Sequence, residues 1–333
     1  MSQPTPSSTG DTLTISPVRG KTFGAVVTGV RLAELDERTF EQIHAAFLQY
    51  GFLVFPGQFL TEPQSVAFGQ RFGELEFGGI PMSNQRRLAE GSYGEIFDLE
   101  TQLMRTNIGN EAWHTDSTYK PISSKCAMLS AVTVPDEGGD TELADARAAY
   151  AALDDTTKQK IQHLSAYHST QYSQANDIGD FPAQSEKSVY HGEAYLRPLV
   201  KVHPETGVKN LFVGRHAFGI PGLSREESRS LLKSLVEFIV SEPARVYVHH
   251  WQPGDTLLWD NRALLHRARP YDYRKPRVLI GTRVAGDPAS ELAYYPTDPA
   301  AEAGRQALSR ELELLREEAK DRMFRATTAT VPL

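Results

Sequence analysis

The segment Thr256-Leu257-Leu258-Trp259-Asp260-Asn261-Arg262-Ala263-Leu264-Leu265-His266 begins as an apolar run and ends on a histidine. The turn Gln252-Pro253-Gly254-Asp255 opens it, so residues 256–260 read as a buried strand. Eleven residues past His266 stands Arg277, at the head of a second apolar run, Val278-Leu279-Ile280. An arginine beside such a run needs an anion, and a guanidinium fork suits a carboxylate.

Working outward, Trp113-His114-Thr115-Asp116 carries two metal-capable side chains two residues apart. On an extended strand, positions i and i+2 share a face, so His114 and Asp116 are expected to reach one ion from one short strand. Alone, His-x-Asp is weak evidence, and a surface histidine beside a solvated aspartate fits it better. With His266 as a third ligand it becomes two histidines and one carboxylate, the set used by non-haem Fe(II) oxygenases. His249 and His250 compete on chemistry, but neither has an arginine at the downstream spacing. His203, beside the turn Pro204-Glu205-Thr206-Gly207, is expected at the surface, and His44 inside a helix is given no role.

These elements together resemble the taurine dioxygenase / 2,4-dichlorophenoxyacetate dioxygenase family. The carrying residues are His114-x-Asp116, the distant Trp259-Asp260-Asn261-Arg262-x-x-x-His266, Arg277, and Thr141, twenty-seven residues after His114. The resemblance implies an α+β fold with a double-stranded β-helix (jelly-roll) core flanked by helices. It implies Fe(II) held by His114, Asp116 and His266, with 2-oxoglutarate and O2 as co-substrates and Arg277 and Thr141 on the distal carboxylate of 2-oxoglutarate. It also places Asn110, four residues ahead of His114, against the substrate. Arg215 and His216, in Gly214-Arg215-His216-Ala217, border the substrate in the family.

Within the family, Gly109-Asn110, Ala112-Trp113-His114, residues 116–119, residues 196–207 and residues 214–217 resemble the branch acting on (S)-2-phenoxypropionates. There, hydroxylation beside the ether oxygen gives a hemiacetal that falls apart to a phenol and a 2-oxo acid, while 2-oxoglutarate becomes succinate and CO2. Taurine-type and (R)-selective relatives have a second Arg four residues after the co-substrate Arg; this chain has Gly281. Arg283, placed on the same face as Arg277 by strand alternation, or Arg105 is the expected replacement. The same chemistry on an amino acid or secondary metabolite is the alternative. A zinc-binding jelly-roll protein is the rival of another class; it needs three ligands but has no use for Arg277 or Thr141.

Composition sets wider bounds. The 333 residues are 40% hydrophobic and 23% charged, as in ordinary globular proteins. A net charge of -7 argues against a general nucleic-acid binder. The single cysteine, Cys126, excludes an internal disulfide framework and suits a small core position. No long apolar run and no secretory leader is present, so a cytoplasmic enzyme, homo-oligomeric and acting on a small, anionic molecule, is expected.

Residues 1–11 are expected to be a disordered tail, 12–287 the dioxygenase domain, and 288–333 a linker and C-terminal helical extension. Apolar spacing predicts helices over residues 37–50, 62–72, 145–153, 155–164, 224–240 and 301–325. Strands are expected at residues 13–18, 23–30, 52–55, 126–134 and 247–251, and a hairpin over 199–213. Residues 76–111 read as a loop-rich approach to the metal, and 172–190 as a long irregular insert.

Overall fold

The computed structural model describes residues 12–294 and 301–329, with side chains to residue 322. The expected tail at 1–11 lies outside the described residues, as does part of the expected linker. Seven strands form the main sheet, in the order Thr14–Pro17, Ala25–Thr28, Phe52–Phe55, Thr256–Asp260, Cys126–Thr133, Val278–Val284 and Leu75–Ser83. A three-stranded sheet faces it, with Thr141–Asp145 between Val246–His249 and Leu264–Ala268. A further three strands pair as Tyr195–Pro198, Ser165–His168 and Ala217–Phe218.

Strand periodicity sorts the main sheet into two faces. Leu53, Phe55, Met128 and Leu258 pack with Phe40, Ile43, Phe47 and Phe68 of the helices Glu37–Tyr50 and Glu62–Gln70. Their neighbours Phe52, Val54, Ala127, Leu257 and Trp259 point the other way, to Leu143, Trp251 and Leu264 of the facing sheet and its connections. The first helix follows from its apolar spacing, the Asp36 carboxylate that accepts from the Thr39 amide, and Gly51, which ends it at φ 80°. Thr256–Asp260 sits fourth of seven and is fully buried, as its apolar run requires. Among the described residues no helix is long and apolar enough to cross a membrane.

Four expectations need correction. Residues 76–111 are not mainly loop: they hold Leu75–Ser83, Gln85–Arg87, Tyr93–Ile96 and the helix Gln102–Gly109. Gly78, Gly79 and Pro81 look like breakers, but Leu75–Ser83 is the sheet's edge, where a missing amide donor is tolerated. Residues 172–190 are not simply irregular, because Thr170–Ile178 is a helix whose first six residues are buried. Its polar composition hid it from a hydropathy reading. His114 and Asp116 do not share a strand; His114 makes a single antiparallel bridge to His266, and Asp116 begins a turn. His203 is buried rather than at the surface, its Nε2 2.9 Å from Asp260 Oδ2.

Candidate active site

The bridge is what assembles the site. His114 N donates to His266 O at 2.9 Å, and His266 N donates to His114 O at 2.8 Å. Two imidazoles from distant parts of the chain are thereby set side by side, ring centroids 4.1 Å apart. Asp116 turns back to them. One donor atom from each of His114, Asp116 and His266 lies within 4.8 Å of the others, and all three residues are buried.

The donor set fits a divalent ion. His114 Nδ1 is 2.8 Å from the Ala112 carbonyl and must donate to it, so its Nε2 keeps a free lone pair. His266 Nε2 is 3.6 Å from Asp116 Oδ2. Burial, reinforced by the neighbouring His266, holds the pKa of His114 well below the usual histidine range, which keeps the ring a ligand rather than a cation. Burial lowers His266 too, against the pull of Asp116. For Asp116, burial pushes the pKa up, but Arg283 and the two histidines outweigh it and hold the carboxyl below the normal range.

The Trp-Asp-Asn-Arg segment builds the support for these ligands. Trp259 lies against His266, ring centroids 4.7 Å apart, and donates its indole N–H to Asn261 Oδ1 at 3.1 Å. Asn261 Nδ2 then donates to Asp116 Oδ2 at 3.2 Å and Ser124 Oγ at 2.9 Å. Asp260 turns the other way, to Arg262 and His203, and Arg262 continues to Glu205 at 2.6 Å. Asn261 has no role by residue type alone; its place in the motif from Trp259 to His266 is the available signal. At Gly214, φ is 141° and an added Cβ would stand 3.1 Å from His114 Cα, so the chain carrying Arg215 and His216 runs directly against the histidine.

The cluster opens into a cavity of about 340 Å3. Thr141 and Arg277 both line it. Arg277 Nε and Nη2 donate to the Gly139 carbonyl at 3.1 and 2.8 Å, and no ion pair to it is formed among the described residues. A cation at a cavity wall without an acid partner could receive an anion. Thr141 Oγ1 accepts from Trp251 Nε1 at 3.1 Å, which leaves the hydroxyl proton free to donate. Phe77, Met82, Leu103 and Leu129 supply apolar wall.

The other expected residues divide. Asn110, Arg215, His216 and Arg283 line the cavity. Arg105 does not: its guanidinium is tied to Glu100 at 2.5 Å and Asp180 at 3.3 Å, away from the cavity lining. Its position ahead of the metal residues suggested the site, but the helix Gln102–Gly109 turns it outward. Arg283 Nη2 is 2.5 Å from Asp116 Oδ1 and its Nη1 3.6 Å from Glu76, so its charge is already engaged. Arg215 Nε is likewise paired with Asp177 at 2.8 Å. His216 Nδ1 is 2.9 Å from Ser173 Oγ, whose own proton goes to the Thr170 carbonyl. His216 therefore donates from Nδ1, and Nε2 is left as an acceptor when the ring is neutral. Ser173, Tyr119 and Tyr190 also line the cavity, and the sequence reading gave none of them a role. His249 is held at Asp255 and His250 at Asp140, both outside the cluster.

Comparison with known proteins agrees with this geometry. The family description "Taurine catabolism dioxygenase TauD, TfdA family" matches residues 14–283. An (S)-phenoxypropionate/alpha-ketoglutarate-dioxygenase of Sphingobium herbicidovorans is 50% identical over 277 residues, 82% of this chain and 95% of the relative. A protein of the same name from Delftia acidovorans is 46% identical, over 85% of this chain and 98% of its own length. Among solved structures, AAD-2 in complex with Mn(II) and N-oxalylglycine superposes with a TM-score of 0.76 at 37% identity, covering 83% of this chain and 97% of the other.

Proposed function

This chain belongs to the taurine catabolism dioxygenase TauD, TfdA family, and on that premise we propose that it is an Fe(II)/2-oxoglutarate-dependent dioxygenase that cleaves an aryloxyalkanoate to a phenol and a 2-oxo acid. The observation that carries the proposal is the convergence of His114, Asp116 and His266 beside an unpaired Arg277 in one cavity. The names of the two relatives given above supply the substrate class. The facing sheets are the two halves of a jelly-roll core, and the enzyme acts in the cytoplasm, as an oligomer, on an anionic small molecule.

His114, Asp116 and His266 hold the iron, and Arg277 with the Thr141 hydroxyl holds the far carboxylate of 2-oxoglutarate. Bound together with O2, these groups supply the oxidation of a C–H bond to C–OH, with succinate and CO2 released. The remainder is positioning by the chain. Asn261 and Arg283 fix the two oxygens of Asp116. The apolar wall takes an aryl ring and excludes water from it. Asn110, through its side-chain amide, is the polar group offered to the acid end of the substrate, and His216, whose neutral ring leaves Nε2 an acceptor, borders it. Arg283, already engaged with Asp116, serves the metal ligand rather than replacing the missing anion clamp at Gly281. Arg277 disfavours the zinc reading, which has no anion for it.

The test is turnover of (R)- and (S)-aryloxy acids by the purified, iron-loaded protein. Phenol and succinate should form in equal amounts from at least one of them. Absence of phenol from every aryloxy acid, with 2-oxoglutarate still bound, removes the substrate assignment and leaves the amino-acid or metabolite alternative.

A further inference from the structure

The terminal helix Ala301–Ala329 begins after the family match has ended at residue 283. Among its described side chains the buried positions are Ala301, Gly304, Leu308, Glu311 and Leu315. They recur at alternating spacings of three and four, one continuous seam along a helix. Leu308 and Leu315 pack with Tyr172 and Ala175 of the helix Thr170–Ile178 and with Phe218. At Gly304 the helix runs so close to the segment at Ala194 that a Cβ would stand 2.5 Å from the Ala194 carbonyl oxygen. Glu311, within the seam, pairs with Arg225 at 2.8 Å, and beside it Glu318 pairs with Arg225 at 2.5 Å and Glu193 with Arg305 at 3.1 Å.

The partner of this seam has its other side in the cavity. Thr170, Ser173 and Gln174 line the cavity, while Tyr172 and Ala175, on the opposite face, meet the terminal helix. Thr170–Ile178 is nine residues long and has no side-chain cap at its N-terminus, so its own helical tendency is too weak to hold it. Its order therefore derives from packing. Two contacts of the cavity depend on that order: Ser173 Oγ on His216 Nδ1, and Gln174 Nε2 on the Arg105 carbonyl at 3.0 Å.

We propose that the terminal helix is a brace for the substrate-side wall, with Leu308 and Leu315 as positioning residues that act through Thr170–Ile178 and Glu311 anchoring the helix on Arg225. Thr141 and His266 lie on strands, His114 on the bridge to His266, Asp116 on the turn after it and Arg277 just ahead of the strand Val278–Val284, so undocking the helix should loosen the substrate end and spare the 2-oxoglutarate end. The inference rests on the reading of the cavity as the substrate site.

The test uses the full chain carrying Leu308→Ala with Leu315→Ala, and Arg310→Ala on the exposed face as control. Amide exchange, KM and kcat for the best aryloxy acid, and 2-oxoglutarate affinity are measured together. The brace predicts faster exchange across residues 170–178 and a KM about tenfold higher if the ordered wall falls to about a tenth of molecules. It predicts unchanged 2-oxoglutarate affinity and an unaffected Arg310→Ala protein. Faster exchange at 301–322 with normal exchange at 170–178 and normal KM would overturn it. If the double variant does not fold, Leu315→Ala alone decides by the same signature or its absence. Should no aryloxy acid turn over in the parent protein, the substrate proposal fails by itself, and exchange at 170–178 still decides the brace.

Discussion

Replacing Arg277 tests the co-substrate site most directly. The guanidinium has five N–H donors. Two are spent on the Gly139 carbonyl, from Nε and Nη2 at 3.1 and 2.8 Å, which fixes the plane of the group. Three remain, two of them placed as a fork across Nη1 and Nη2, and no acid in the described structure competes for them. Lysine keeps the charge but gives up the fork and the Gly139 anchor. Losing one charge-assisted hydrogen bond costs about 1.5–3 kcal/mol, which is about a 10- to 150-fold weaker 2-oxoglutarate Kd. Arg277→Met removes the charge as well, at about 2–5 kcal/mol, so its loss should exceed that of lysine. The assay is anaerobic calorimetry of the protein loaded with Mn(II), so that no turnover occurs. Metal affinity, measured first, should not change, because Arg277 makes no hydrogen bond to His114, Asp116 or His266. A lysine variant that binds 2-oxoglutarate within about threefold of the parent would show that the anion sits elsewhere and sink the assignment of Arg277.

Asn261→Ala removes the amide that joins Asp116, Ser124 and Trp259; Mn(II) affinity by titration should fall about 10- to 100-fold. Gly214→Ala forces a side chain into a backbone with φ 141° and onto His114; a loss of about 1–3 kcal/mol in chemical unfolding is expected, and parent-like stability would refute the close-packing argument. His168 is buried, with neither ring nitrogen partnered, and burial reinforced by Arg197 holds its pKa well below the usual range. Folded His168 stays neutral while the unfolded chain takes up a proton below about pH 6.5. Its contribution therefore drains away as pH falls below that value, at up to about 1.4 kcal/mol per pH unit. His168→Phe should lose less stability than the parent between about pH 6.5 and 5 in metal-free urea titrations, and parallel slopes would exclude His168 as the source.

Much of the site was legible because its residues carry their chemistry at fixed offsets. His114, Asp116, His266, Thr141 and Arg277 come together as expected, and spacing alone had marked the helices Glu37–Tyr50 and Arg225–Val240. Arg105 and Arg283 were less legible. Both are arginines near the site, and nothing in the order of residues says which acid each one meets. Arg105 is claimed by Glu100 and Asp180, Arg283 by Asp116. The helix Thr170–Ile178 was hidden because a polar segment can be buried when neighbours satisfy it, and those neighbours are remote in sequence.

Local order thus determined what the chain carries: an apolar strand leading to a histidine, a His-x-Asp pair, an arginine eleven residues on, and helices written in apolar spacing. These are properties of neighbours along the backbone, and they persist whatever the fold. Only the tertiary structure decided which charges are free, because a guanidinium's availability depends on the acids that packing brings within about 3 Å of it. That is why Arg277 stands open to an anion while Arg105, Arg215 and Arg283 are engaged, and why a polar helix becomes a wall once another helix closes over its back.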